Sequence, residues 1–529
     1  MATLADSTPV LRDGNGAILN PWMIAVTVAL TTFMEVLDIS IANVSLRHIA
    51  GDLSAGQDES TWVLTSYLVS NAIVLPISGW LSSLMGRRRF YMLCVALFTA
   101  SSLLCGLAPN LAMLILFRAL QGFGGGGLQP SSQAILADTF PPAKRGMAFA
   151  VYGITTVMAP AIGPTIGGWI TDTFTWRWIF LINVPVGILS IYLTSRLVFD
   201  PPHFARQREE LKAGGFKIDY IGFALLSLGF GCLQVVLDKG QQEDWFDSGL
   251  IVALTAVSIS ALLFLPFWEW RQRHPMVDVR LLLQRNFLVS NVLIFMLGFI
   301  LFGSTVLLPL FVQNLMGYSA TDAGLVLSPG GLAVLCFMPL IGMMVNRVDV
   351  RHMITFGILC NAAALFLMSR LDLQADYWSI ATLRIVQGIG LGFLFIPINT
   401  AAFAEIPMVK SSNASAIINL FRNLGGSFGI SLVQTWLTQG SQRHQADLVA
   451  HVSAFSSRTT DALAELSRAI ASQGGTLGDA AAKTQATLYA FVQQQASLLA
   501  FLDNFRLLAL LFVAFLPAVY VLKRTQRHR

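Results

Sequence analysis

The chain has 529 residues, of which 55% are hydrophobic and only 12% are charged. With a mean hydropathy of +0.65, this composition excludes an ordinary soluble domain and indicates a membrane protein. The formal net charge is +5, but much of the positive charge lies in short segments between apolar ones, so we expect no nucleic-acid partner. The five cysteines stand singly in apolar segments, which predicts neither a disulfide framework nor a metal site.

Hydropathy divides the chain into fourteen apolar segments, each long enough to cross a bilayer as a helix. We number them spans 1 to 14 in chain order. The residues before span 1 hold no basic cluster, so we expect span 1 to be a retained helix and not a cleaved signal peptide. The predicted boundaries are 22–45, 61–85, 90–108, 111–137, 147–171, 177–198, 218–237, 249–268, 287–313, 322–345, 352–371, 377–404, 412–437 and 503–522.

Basic residues are concentrated in alternate loops. The loops after spans 2, 4, 6, 8, 10 and 12 and the end of the chain are basic, whereas the opposite short loops hold few basic residues and several acidic ones. Cytoplasmic loops of membrane proteins carry the excess of lysine and arginine. This bias therefore predicts that residues 1–21 and 523–529 are cytoplasmic tails.

Span 1 carries two carboxylates, Glu35 and Asp38, on neighbouring positions of one helical face. Both lie deep in the span by residue count. Burial favours the protonated form of a carboxylate and a nearby cation favours the ionised form, a competition that suits a proton carrier. The alternative is a static ion pair with Arg118 that only joins spans 1 and 4.

Span 4 carries Arg118 inside an apolar segment, where a charge is expected to face the bundle interior with a partner or a function. The glycines after it match the dinucleotide pattern G-x-G-x-x-G by letter, but no strand precedes them. We interpret them as positions of close helix packing. The pattern Arg118, Gln121, Gly122 and Gly124 recurs 266 positions later as Arg384, Gln387, Gly388 and Gly390.

This recurrence predicts a duplicated bundle. Spans 4 and 12 are eight spans apart, which fits a six-helix repeat with two inserted helices. We therefore predict an all-α integral membrane protein with six-helix bundles at 22–198 and 287–522 and two inserted helices within 199–286.

Span 5 combines proline with small residues. Proline bends a helix and glycines give a smooth packing face, a combination that suits bundles that rock against each other, although a purely structural kink explains it as well. The residues concerned are Gly163, Pro164, Gly167 and Gly168.

The second bundle holds Arg384 and Arg422 at membrane depth, without an obvious acidic partner. Four partners remain open: the span 1 carboxylates across the interface, a water-filled cavity, an anionic substrate, or backbone carbonyls. We predict a substrate cavity that contains Asn43, Gln121, Arg384, Gln387, Arg422 and Asn423.

These motifs together resemble the fourteen-helix drug:proton antiporter family of the major facilitator superfamily, the EmrB/QacA type. The resemblance covers nearly the whole chain, including the inserted helices. It implies that Arg118 takes part in proton transfer and that the span 5 motif is tied to export. The matching residues are Leu37, Asp38, Ala42 and Asn43 in span 1, Arg118, Gln121, Gly122 and Gly124 in span 4, Gly163, Pro164, Gly167 and Gly168 in span 5, and Trp176, Asn183, Pro185 and Gly187 in span 6.

One motif departs from the family pattern, in which the loop after span 2 reads Gly-x-Leu-Ala-Asp-Arg-x-Gly-Arg-Arg. Here Ser83 and Leu84 replace the acidic residue and the basic residue that follows it. The resemblance implies that this loop latches the outward-facing state, so this chain must latch differently or weakly. The residues that do match are Gly79, Gly86, Arg87 and Arg88.

The resemblance implies a proton-coupled antiporter that exports amphipathic drugs or toxic compounds across the bacterial inner membrane, powered by the proton gradient with no cofactor. The alternatives are an exporter of one metabolite, such as a siderophore or weak organic acid, and a membrane sensor or scaffold without transport. We find no nucleotide-binding loop or nucleophile that predicts an enzyme. Expected partners are a small amphipathic substrate and the lipid bilayer.

A long extracytoplasmic loop is predicted at 438–502. Leu488, Phe491 and Val492 recur at helical spacing, which predicts an amphipathic helix in its last part. This helix either lies on the membrane surface or, as the resemblance implies, docks a periplasmic adaptor that leads to an outer-membrane channel.

Overall fold

The computed structural model describes residues 20–200, 219–272, 275–452, 457–471 and 477–523. These residues form helices and connecting turns, and no strand occurs among them. The predicted cytoplasmic tails lie almost entirely outside the described residues. The same holds for 201–218 of the predicted segment 199–286 and for two short pieces of the predicted loop 438–502.

Fourteen helical segments of the described chain are long and apolar enough to cross a membrane, which confirms the predicted number of spans. In chain order, spans 1 to 14 are Pro21–Val44, Trp62–Met85, Arg87–Gly106, Leu111–Thr139, Pro142–Thr173, Trp178–Leu197, Tyr220–Lys239, Gly249–Arg271, Arg285–Asn314, Thr321–Met344, Val350–Met368, Tyr377–Phe403, Met408–His451 and Lys483–Val521.

Span 4 consists of two helices, Leu111–Gly125 and Leu128–Thr139, which meet where the glycine run ends. Span 6 begins with the single turn Trp178–Leu181 and continues as Asn183–Leu197. The short helices outside the apolar parts of the spans are Leu46–Asp52, Gln57–Ser60, Trp245–Asp247, Val279–Leu283, Met408–Lys410 and Ser457–Ala471.

The predicted loop 438–502 differs from the structure. The helix Ser411–His451 continues span 13 well beyond the predicted end at 437, and the helix Leu477–Ala514 begins far before the predicted start of span 14 at 503. Alanine and glutamine, which are frequent here, favour helix, and the two long helices pack against each other. The described part of this loop is therefore mostly helical and includes the predicted amphipathic segment.

The spans form two bundles, as predicted. In the first, span 1 packs on span 5, and spans 2 and 3 pack on span 4. In the second, span 9 packs on span 13, and spans 10 and 11 pack on span 12. The bundles meet where span 5 contacts span 10 and span 2 contacts span 13. Spans 7 and 8 pair with each other, and span 7 lies against span 2.

Apolar side chains cover much of the outer surface. On span 8, Leu263 and Phe267 are 67% and 71% exposed, as expected for side chains that face lipid. Since the number of spans is even, span 1 begins and span 14 ends on the same side of the membrane. We call this the terminal side and the opposite one the distal side.

Candidate functional site

Asp38 of span 1 and Arg118 of span 4 form an ion pair inside the first bundle. Arg118 Nη1 donates to Asp38 Oδ2 at 2.6 Å. The two side chains are 1% and 0% exposed, respectively, so bulk water does not screen the pair. The pair joins span 1 to span 4 in the interior of the bundle.

Two amides complete the contacts of Asp38. Gln121 Nε2 and Asn183 Nδ2 both donate to Asp38 Oδ1, at 3.0 and 2.7 Å. Gln121 lies one turn after Arg118 on the same helical face, and its side-chain oxygen accepts from Arg118 Nη1 at 2.7 Å. Ser102 accepts from both amides, at 3.2 and 3.1 Å. Polar groups of spans 1, 3, 4 and 6 thus share one buried network.

Arg118 also has partners that carry no charge. Its Nε donates to the backbone carbonyl of Val63 at 3.1 Å. Its guanidinium carbon lies 4.5 Å from the ring centre of Tyr67 and 5.4 Å from that of Phe180. Aromatic faces attract cations, so these contacts stabilise the guanidinium independently of Asp38.

Glu35 has a separate set of partners. Tyr67 Oη donates to Glu35 Oε1 at 3.2 Å, and Gln129 Nε2 donates to Glu35 Oε2 at 2.5 Å. The side-chain oxygen of Gln129 in turn accepts a hydrogen bond from Arg422 of span 13. Glu35 and Arg422 therefore belong to one network that crosses the interface between the bundles, with Gln129 between them.

This network continues through further amides of both bundles. Arg422 also donates to Asn419, and Asn419 Nδ2 donates to Gln133 Oε1 at 2.6 Å. Gln133 donates to Asn399 of span 12 and accepts from Ser415 Oγ at 3.1 Å. All five side chains are buried. A layer of polar contacts thus joins span 4 to spans 12 and 13.

Arg384 lies in different surroundings. Its Nη1 donates to Gln387 Oε1 at 2.5 Å, and Gln387 Nε2 donates to Ser304 Oγ at 3.0 Å. The side chain lines a narrow cavity whose walls come from span 5 of the first bundle and from spans 9, 10 and 12 of the second. Within the described ranges, no carboxylate lies within ion-pair distance of Arg384.

The structure places the six predicted cavity residues in different surroundings, and their grouping in one substrate cavity stays a prediction. Asn43 is exposed, because five residues after Asp38 an α-helix has turned about 140° away from the buried face. Gln121 belongs to the Asp38 network and Arg422 to the interface network, while Asn423 is half-buried. Arg384 lines the cavity, and Gln387 lies beside it.

The span 5 motif packs against span 1. Pro164 has no amide hydrogen, so the carbonyl of Pro160 has no helical donor one turn later. Ser40 Oγ donates to that carbonyl at 3.3 Å. A Cβ atom at Gly163 would collide with Ser40. The helix Pro142–Thr173 continues unbroken through the motif. The other two motif glycines, Gly167 and Gly168, are buried in the same helix.

The loop after span 2 joins the bundles on the terminal side. Gly86 separates spans 2 and 3 with a φ of +88°, a region that favours glycine. Arg87 Nη1 donates to Asp138 Oδ2 at 2.6 Å, and its Nη2 donates to the hydroxyls of Ser411 and Ser412, each at 3.0 Å. We call these four side chains the Arg87 latch. It supplies a charged contact across the interface without the family's acidic loop residue.

The other loop-motif residues have simpler surroundings. Gly79 packs on Asn413 of span 13, where a Cβ would come within 2.6 Å of Asn413 Oδ1. Ser83 donates to the carbonyl of Gly79 at 3.0 Å, and Leu84 is half-buried. Arg88 contacts the end of span 6 and the residues after it.

Several residues of these networks lie outside the site predicted from the sequence. Gln129 and Gln133 are four residues apart in an apolar helix, so their shared face was a readable signal. Ser102 and Tyr67 gave no signal that distinguishes them from other polar core residues. Asn183 matched the family pattern, but its contact with Asp38 depends on how span 6 is rotated.

Comparison with known proteins identifies the family. The family model described as Major Facilitator Superfamily matches residues 28–430. The chain is 39% identical to "Probable multidrug resistance protein EmrY" of Escherichia coli strain K12, over 82% of this chain and 83% of that protein. It is 34% identical to "Fatty acid resistance protein FarB" of Neisseria gonorrhoeae, over 94% and 96% of the two chains.

Among solved structures, the human organic anion transporter MFSD10 aligns with a TM-score of 0.57 at 12% identity, covering 93% of this chain and 99% of that one. This likeness concerns the fold alone. Together with the family match and the curated relatives, it agrees with the two-bundle architecture. The chain therefore belongs to the major facilitator superfamily, in its fourteen-helix family of the EmrB type.

Proposed function

We propose that the protein is a proton-coupled antiporter that exports amphipathic drugs or related toxic compounds across the bacterial inner membrane. The observation that carries the proposal is the buried Asp38–Arg118 pair at 2.6 Å. A titratable pair at membrane depth marks proton relays in transporters. The printed names of the EmrB and EmrY relatives describe multidrug export or resistance, which supports the substrate class.

The contacts of Asp38 suggest how a proton changes the bundle. Protonation of Asp38 removes its negative charge, so the ion pair becomes a contact between the Arg118 cation and a neutral acid. Arg118 still donates to Gln121 and to the carbonyl of Val63, so its guanidinium keeps acceptors while Asp38 is released. Proton binding therefore weakens the connection between spans 1 and 4, and proton loss restores it.

Span 1 can transmit this change to the second bundle. It packs on span 5, partly through the hydrogen bond from Ser40 to Pro160, and span 5 packs along span 10. A shift of span 1 on proton binding thus reaches the interface between the bundles. Rocking of one bundle against the other provides alternating access in transporters with two such halves.

We propose that the terminal side is cytoplasmic. The Arg87 latch lies on this side, and the loops there carry most of the basic residues. The excess of arginine and lysine sets orientation in bacterial membranes. The structure is then closed towards the cytoplasm, with spans 4, 12 and 13 in contact through the polar layer.

The test is transport by purified protein in liposomes that contain a pH-sensitive dye. Wild type should release protons when a cationic drug is taken up in exchange. Asp38→Asn should abolish this release, because the amide cannot bind the proton. Asp503→Asn serves as a control, since Asp503 is half-exposed and pairs with His444 outside the buried networks. Proton-coupled transport by a folded Asp38→Asn variant would exclude Asp38 as the carrier.

A second candidate is an exporter of weak organic acids or of one natural metabolite. The buried Arg384 without a carboxylate partner favours an anionic substrate, and one relative is named a fatty acid resistance protein. The competing class, a membrane sensor or scaffold, leaves the buried Asp38–Arg118 pair without a purpose. Survival of a sensitised host against a panel of cations and weak acids separates the three, because a sensor protects against none.

We also propose that the long helices of spans 13 and 14 contact a periplasmic adaptor. The helix Ser411–His451 has 41 residues, or about 60 Å at 1.5 Å per residue, roughly twice the hydrocarbon thickness of a bilayer. Its end therefore projects from the distal side. Co-purification with a co-expressed adaptor tests this contact, and retention of the adaptor after removal of residues 445–490 would refute it.

A further inference from the structure

The two bundles place repeat-equivalent residues in equivalent contacts. Gln121 donates through Nε2 to Asp38, and Gln387 donates through Nε2 to Ser304, at 3.0 Å in both cases. Each acceptor stands 83 residues before its glutamine in the chain. Ser304 therefore occupies in the second bundle the place of Asp38 in the first.

The second bundle keeps the arginine but neither carboxylate. Arg384, like Arg118, stands three residues before its glutamine and donates to it. Leu301 stands three residues before Ser304, where span 1 has Glu35. In the second bundle, the charge of Arg384 therefore lacks both carboxylates of the first bundle. A hydroxyl, Ser304, and a hydrocarbon side chain, Leu301, stand in their places.

The guanidinium of Arg384 is incompletely partnered beside the cavity. The residue is 5% exposed, and its Nε atom is buried without a hydrogen-bond partner in the part of the chain that the structure describes. The cavity walls beside it are mostly apolar, with Val157 from the first bundle and Leu301, Val334 and Leu391 from the second. A charged donor and an apolar surface thus meet at the interface between the bundles.

We propose that Arg384 binds the head group of a lipophilic carboxylate. The cavity is too narrow for the hydrocarbon tail in this structure, so the tail lies against the apolar wall after the bundles have moved apart. The proposal rests on the proposed export function and names its substrate class. A carboxylate supplies both the missing counter-charge and two acceptors that match the fork of a guanidinium. A hydrophilic anion would lose its hydration against the apolar wall without compensation. A permanent cation is repelled by Arg384 and requires another subsite.

The test compares two probes of equal chain length, dodecanoate and dodecyltrimethylammonium. Their binding to the purified transporter in an uncharged detergent is measured by calorimetry. In Arg384→Gln, the affinity for dodecanoate should fall roughly ten- to a hundredfold, as expected when a charge-assisted hydrogen bond is lost. The affinity for the ammonium probe should not fall. Arg370→Gln is the control, because Arg370 is exposed and lies on the ring of Phe366.

Ser304→Asp is the second variant, because it adds an internal counter-ion instead of removing the cation. It should weaken dodecanoate binding in the same direction, and it decides the matter if Arg384→Gln does not fold. Unchanged dodecanoate affinity in both folded variants, or an equal loss for both probes, overturns the proposal. If the wild-type protein binds dodecanoate but exports neither probe after reconstitution in liposomes, the export function is refuted instead.

Discussion

The energetic coupling between Asp38 and Arg118 can be measured by a double-mutant cycle. Asp38→Asn keeps the shape of the side chain but removes the negative charge, and Arg118→Met removes the positive one. The two side chains are 1% and 0% exposed, so neither remaining charge regains water. Breaking a buried pair by removing one partner destabilises a protein by about 3–5 kcal/mol. The amides and aromatic rings around the pair place the expected value near the lower figure.

The double variant Asp38→Asn/Arg118→Met leaves no charge at the site. Its destabilisation should therefore be smaller than the sum of the single effects by about 2–3 kcal/mol, the upper end of pairwise coupling energies. The free energies of unfolding are measured by titration with dodecyl sulfate in mixed micelles, followed by circular dichroism. The control cycle uses Asp503 and Arg506, which lie 3.6 Å apart and are 48% and 55% exposed, where a coupling of about 0–1 kcal/mol is expected. A buried coupling no larger than the exposed one would refute this reasoning.

Two further predictions concern the contacts around this pair and between the bundles. Ser40→Ala should destabilise the protein by about 1–3 kcal/mol in the same titration, because the carbonyl of Pro160 loses its donor. The control is Ser260→Ala, at a lipid-exposed helical hydroxyl, which should change stability by less than about 0.5 kcal/mol. Equal effects of the two substitutions would contradict the role of Ser40. Asp138→Asn should weaken the Arg87 latch. In a protein without its native cysteines, a cysteine introduced at the fully buried Ala414 should then react faster with an impermeant maleimide added on the terminal side. An unchanged rate would show that the latch does not hold this side closed.

The sequence predicts the number of spans and the two bundles because hydropathy and loop charge act locally along the chain. It also identifies Arg118 and Asp38 as groups that need partners, since a charge at membrane depth is unfavourable wherever the helix lies. The bond between Gln129 and Arg422 could not be predicted, because it depends on how the bundles dock. The exposed position of Asn43 could not be predicted either, because a family motif does not state which face of the helix each member occupies.

The length of span 13 shows another limit of sequence interpretation. A polar, alanine- and glutamine-rich segment after an apolar run is typical of a loop in a membrane protein. Here the same composition favours helix, and packing against the helix Leu477–Ala514 stabilises it. Hydropathy marks where a chain leaves the bilayer but not where its helix ends.

The hydrogen bond between Gln133 and Asn399 has a geometric consequence. The two residues are 266 positions apart, which is the offset of the internal repeat, so each is the counterpart of the other. Counterparts in two halves related by a twofold rotation touch only where the rotation axis passes between them. This bond therefore marks the pseudo-twofold axis of the transporter. When the halves tilt in opposite directions about a line in the membrane plane, points of the axis above or below that line move apart. This amide pair belongs to the layer that closes the terminal side, so its hydrogen bond must break when that side opens.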